Sequence, residues 1–95
     1  MCMRREEWGM ETRVALLAVI VREEESVAAL NGLLHQYSGH IIGRMGVPYR
    51  ARGVNVISVA MDAPADAISA LSGKIGKLRG ITVKTVYAPE NALPG

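Results

Sequence analysis

The chain has 95 residues, 49% of them hydrophobic and 21% charged, with a net charge of +2; that length holds one hydrophobic core, and the composition excludes disorder across the whole chain. So small a charge implies no polyanionic partner, and no run reaches the ~20 consecutive apolar residues of a membrane helix. The single cysteine, Cys2, excludes an internal disulfide and fits a reducing cytoplasm.

Phe is absent and there are one Trp and three Tyr, so Val, Ile, Leu, Ala and Met must build the core. Charge is uneven: four Arg against six Glu through Gly39, then seven Lys or Arg against three acidic residues from His40 onward, or −2 against +4. The basic part reads as dispersed surface charge, with a weak anion-binding face as the alternative. Residues 1–12 carry mixed charge, no periodicity and no apolar signal region, which predicts a flexible arm in which Met10 offers a shorter start.

RVALLAVIVR, residues 13–22, is apolar at every interior position, the pattern of a strand buried on both faces. In EEESVAALNGLLHQYSG the period changes: Val27, Leu30, Leu34 and Tyr37 recur at three and four, with acidic residues to start a helix and Gly39 to end it. HIIGRMGVPYR follows as a strand with Ile41, Met45, Val47 and Tyr49 on one side and His40, Ile42, Arg44 and Gly46 on the other. Gly43, Gly46 and Pro48 place it at a sheet edge. A turn at Ala51, Arg52 and Gly53 leads into VNVISVAMD, so the two strands form a hairpin. Asp62 is a candidate N-cap for a helix whose first turn holds Pro64 and whose buried side is Ile68, Leu71, Ile75 and Leu78, ended by Gly80. ITVKTVYA is a last alternating strand, and residues 89–95 form a flexible tail to a domain spanning 13–88.

The order βαββαβ predicts an α+β fold, the ferredoxin-like sandwich of a four-stranded antiparallel sheet with the first and third strands central and two helices on one face. Two helices cover one side only, yet Val14, Leu16, Ala18 and Ile20 are as apolar as Ala15, Leu17, Val19 and Val21. A second copy is the expected cover, giving a homodimer or a tetramer. Ser69, Gly73 and Gly76 fall on neighbouring positions of the second helix. Two glycines there point to close packing of another helix or strand, so Gly73 and Gly76 join Val14, Leu16, Ala18 and Ile20 as expected interface residues.

Chemistry-bearing residues are sparse. His35 and His40, with Cys2 in the arm, supply no convincing metal set, and no metal or cofactor is expected. Ser72, Gly73 and Lys74 resemble the end of a phosphate-binding loop without its order or its place between strand and helix. These three and Arg44 are the candidate ligand contacts. Arg44, Arg50 and Arg52 on the hairpin read first as edge protection and second as a site for a small anion or acidic partner. No Ser-His-Asp, Cys-His or paired-carboxylate arrangement is present, so an enzyme is not expected.

The stretch from RVALLAVIVREEESVAALNGLLHQYSGHIIGRMGVPY through NVISVAMDAPADAISALSGKIGKLRGITVKTV resembles the iron-only hydrogenase system regulators, most specifically in ALSGKIGKLRGITVKT. The resemblance covers Arg13 to about Tyr87. It implies an ACT-like domain, also related to the C-terminal domain of the nickel-responsive repressor, that assembles as an oligomer and takes part in transcriptional regulation. The relatives' sites do not carry over. Arg22-Glu23-Glu24-Glu25 stands where amino-acid-binding ACT domains have a glycine-bearing loop. Met45-Gly46-Val47-Pro48-Tyr49 and Val54-Asn55-Val56 lack the nickel sensor's His and Cys, and the arm is too short for its DNA-binding segment, so direct DNA reading is not expected.

The leading expectation is a stand-alone cytoplasmic regulatory module acting through an unidentified effector or protein partner. One alternative is an acylphosphatase-like enzyme, with an Arg holding phosphate and Asn55 orienting water, although the Arg-bearing turn after the first strand is missing. The other is single-stranded nucleic-acid binding on the open sheet, which the lack of aromatics on the central strands opposes.

Overall fold

The computed structural model describes residues 11–89, and every structural statement below concerns them; the expectations for Cys2, Met10 and the rest of residues 1–10, and for 90–95, lie outside. The chain runs β1 (Arg13–Val21), α1 (Val27–Gln36), β2 (Ile41–Tyr49), β3 (Val54–Ala63), α2 (Ala65–Gly76) and β4 (Ile81–Tyr87). One antiparallel sheet has the order β2-β3-β1-β4, with β1 and β3 central and β2 at an edge, as the pattern predicts.

The core lies between the sheet and the two helices. Ala15, Leu17, Val19 and Val21 of β1 and Ile57, Val59, Met61 and Ala63 of β3 meet Leu30 and Leu34 of α1 and Ile68, Leu71 and Ile75 of α2. The three-and-four spacing on the helices and the period of two on the strands thus converge on one layer.

Several boundaries differ from the pattern. Asp62 caps no helix: it pairs with Val14 inside β3, and Pro64 is the N-cap of α2, its carbonyl accepting from Ala67 and Ile68. Helix α1 ends at Gln36, three residues before Gly39, and His40 sits in a short 3-10 turn rather than in β2. Helix α2 ends at Gly76, so Leu78 packs on the core from the following turn. Gly80 belongs to that turn too, with φ +70. A bulge between Ile41 and Gly43 shifts the register of β2, so Ile41 packs on the core while Met45, Val47 and Tyr49 face the other way.

The connection from β1 to α1 is tied to the turn before β4. Arg22 N–H donates to the Gly80 carbonyl (2.8 Å), and the buried Ser26 hydroxyl donates to the Arg79 carbonyl (2.6 Å). A side chain on Gly80 would collide with Glu23, so glycine is required both for its φ and for this close approach.

Candidate functional site

Side chains of directly opposed residues share a face, so the registers map the surface that no helix covers. Across it lie Val86, Leu16, Ala60 and Gly43; then Lys84, Ala18, Ser58 and Met45; then Thr82, Ile20, Val56 and Val47. Val14 and Asp62 close one end, Val54 and Tyr49 the other. Val14, Leu16, Met45, Val47, Tyr49, Val56 and Val86 are all exposed large hydrophobic side chains, Met45 at 63%. Small residues of the two central strands (Ala18, Ser58, Ala60) lie among larger ones, a relief into which side chains of a facing surface can interdigitate. Of the expected interface residues, Val14, Leu16, Ala18 and Ile20 therefore share this surface.

Gly73 and Gly76 do not, because α2 lies on the opposite side of the sheet. A side chain on Gly73 would meet nothing within 4 Å, and one on Gly76 would meet Val83 Cγ1 at 3.5 Å, an ordinary contact. Neither marks a close backbone approach within the chain.

The candidate ligand contacts do not converge. The Ser72 hydroxyl accepts from Thr85 Oγ1 (3.1 Å), Lys74 Nζ donates to the Tyr37 hydroxyl (3.2 Å) beside its ring, and Arg44 Nη2 donates to Asn31 Oδ1 (2.9 Å). Each side chain is engaged with a different neighbour. Arg50 and Asn55 do line one cleft, with Glu24, Pro48 and Tyr49, but its volume of 160 Å³ falls below the few hundred Å³ of small-molecule sites. A larger cleft of 420 Å³ lies where β1 starts and β4 ends, lined by Glu11, Thr12, Arg13, Val14, Ala65, Ala88 and Pro89. The Arg13 guanidinium there stacks on Tyr87 (4.4 Å) and donates to the Ala88 carbonyl (3.3 Å). Sequence reasoning missed this cleft, since its walls come from both ends of the domain.

Among the described residues no group of three or more His, Cys, Asp or Glu is placed to hold a metal. No helix among them is long and apolar enough to cross a membrane. The open sheet face is thus the surface that sets this domain apart.

Comparison with known proteins supplies the family. A family model described as "TM1266-like: Iron-only hydrogenase system regulator, putative" matches residues 13–85, from the first residue of β1 to within two residues of the end of β4. The chain belongs to this family. The TM1266-like fold is matched in structure by the uncharacterized protein TM1266 from Thermotoga maritima, with a TM-score of 0.80 at 36% identity over 83% of this chain and 100% of that one. The ACT domain of GTP pyrophosphokinase from Chlorobium tepidum is similar at TM-score 0.65 and 14% identity, over 84% of this chain and 92% of that one. A formyltetrahydrofolate deformylase from Pseudomonas putida KT2440 is similar at TM-score 0.58 and 15% identity, over 80% of this chain and 29% of the enzyme. At those identities the last two likenesses concern the fold alone, and they make the TM1266-like domain an ACT-like, ferredoxin-like sandwich. No curated protein matches the chain.

Proposed function

We propose that this member of the TM1266-like family is a regulatory module that works as an oligomer, burying its open sheet face against a second copy and acting through a protein partner or small effector rather than through catalysis. The observation that carries the reading is the apolar face itself. A strand that alternates Leu17 at 0% exposure with Leu16 at 43% has a finished core on one side and an unfinished one on the other. Burying a Val, Leu or Met side chain is worth roughly 1.5–3 kcal/mol when complete, so a facing copy of the same surface gains several such increments on both sides. The family description supports regulation, here of an iron-only hydrogenase system. The lone cysteine supports a cytoplasmic setting.

Light scattering at micromolar concentration tests the assembly: a multiple of the chain mass is expected, and a monomer would overturn the reading. An acyl phosphate hydrolysis assay tests the regulatory half, with no turnover expected.

A further inference from the structure

The two edges of the sheet differ. Along an antiparallel strand the N–H and C=O of each residue turn to the same neighbour, and the direction alternates from residue to residue. Ala88 N–H donates to the Val14 carbonyl (2.9 Å) and Arg22 N–H to the Gly80 carbonyl (2.8 Å). With the register between β1 and β4, this turns the backbone of Thr82, Lys84 and Val86 toward β1 and that of Ile81, Val83, Thr85 and Tyr87 outward. The same alternation carried through β3 turns Arg44, Gly46 and Pro48 of β2 outward. On that edge Pro48 has no N–H to offer, and the bulge beside Ile42 breaks the line; both are devices that close an edge to further strands. The β4 edge, ITVKTVY, has no proline, no glycine and no register shift.

We infer that the β4 edge is a second self-association surface, on which β4 of another copy adds antiparallel about a two-fold axis normal to the sheet. A second copy fits because the strand is complementary to itself. Centred on Thr85, the pairing sets Thr85 against Thr85, Val83 against Tyr87, and Lys84, the strand's one charged residue, against Val86. Centring on Lys84 instead would oppose like charges. The axis keeps both helical layers on one side and both open faces on the other, so the Leu16 and Val86 surfaces of two copies become one continuous open face with Lys84 of each copy at the seam. The four-chain consequence rests on the face-to-face reading above: edge pairing and face packing together close a tetramer of dihedral symmetry.

Amide hydrogen exchange of the full chain reads the edge directly. The outward amides of Val83 and Thr85 should exchange roughly tenfold or more slowly than the outward amides of Arg44 and Gly46 on β2; equally fast exchange overturns the inference, as does slow exchange in a monomer. Native mass spectrometry then separates the two surfaces. Thr85→Pro removes an outward N–H while leaving the ladder to β1 intact, and Thr85→Ala loses the same contact to Ser72 but keeps the N–H. Wild type and Thr85→Ala should contain four chains, Thr85→Pro and Leu16→Lys two each, and the double variant one. If Thr85→Pro leaves the mass unchanged while Leu16→Lys lowers it, the edge inference fails and the face reading stands. If only Thr85→Pro lowers it, the face reading fails and the edge stands.

Discussion

Leu16 and Leu17 are adjacent in β1, yet one is 43% exposed and the other sealed at 0%. The contrast repeats on β3, where Val59 and Met61 are buried and Val56 is exposed. Half of the apolar run in β1 is thus sealed by this chain's own helices and the other half stands open, the half that the proposed assembly would cover. The largest expected effect lies on the covered face. Leu17→Ala should cost about 2–5 kcal/mol at any protein concentration, because it leaves a cavity among side chains that cannot collapse. Leu16→Ala should cost under about 1 kcal/mol in a dilute chain and lower the melting temperature mainly where assembly adds stability. Denaturation of both variants at two protein concentrations checks this, and equal, concentration-independent losses would break the comparison.

The covered face is also closed at one end, and that closure yields two smaller effects. Gly80→Ala places a Cβ 2.8 Å from Glu23 Cβ at a residue whose φ is +70. A loss of about 1–3 kcal/mol is expected in thermal or chemical unfolding, with no change in chain number. Ser26→Ala removes the hydroxyl held 2.6 Å from the Arg79 carbonyl and should cost about 1–2 kcal/mol. If either substitution altered the assembled mass instead, this end of the molecule would belong to an interface, and the line between covered and open surfaces would have to be redrawn.

How much of this was legible in the sequence follows from the range of the forces involved. The double apolarity of β1 and the alternation of β3 are local, and they predicted the fold order, the central strands and the uncovered face. On β2 the faces of Arg44 to Tyr49 were legible but that of Ile41 was not, because a period of two assumes an unbroken register and the bulge beside Ile42 moves Ile41 to the core side. The end of β3 was misplaced because Asp62 is held by its pairing with Val14, a partner far away in sequence that outweighs its local preference for a helix cap. The Ser26 to Arg79 tie spans 53 residues and carries no pattern. Among the candidate contacts, Ser72, Lys74 and Arg44 looked free in the sequence because Thr85, Tyr37 and Asn31 reach them only in the folded chain.

The smallest effect asks whether the helical layer, whose exposed residues are mostly small (Ala28, Ala29, Gly32, Ala70, Gly73), meets another chain as well. Gly73 lies inside α2, is exposed, and would meet nothing within 4 Å if it carried a Cβ. Within one chain the glycine only weakens the helix, so Gly73→Ala should raise stability by about 0.5–1 kcal/mol and leave the assembled mass alone. A loosened assembly would mean that another chain's backbone lies against α2 at this point. The covered face would then be covered twice, by its own helices and by a neighbour beyond them, and the contrast between the two sides of the sheet would be one between two kinds of interface.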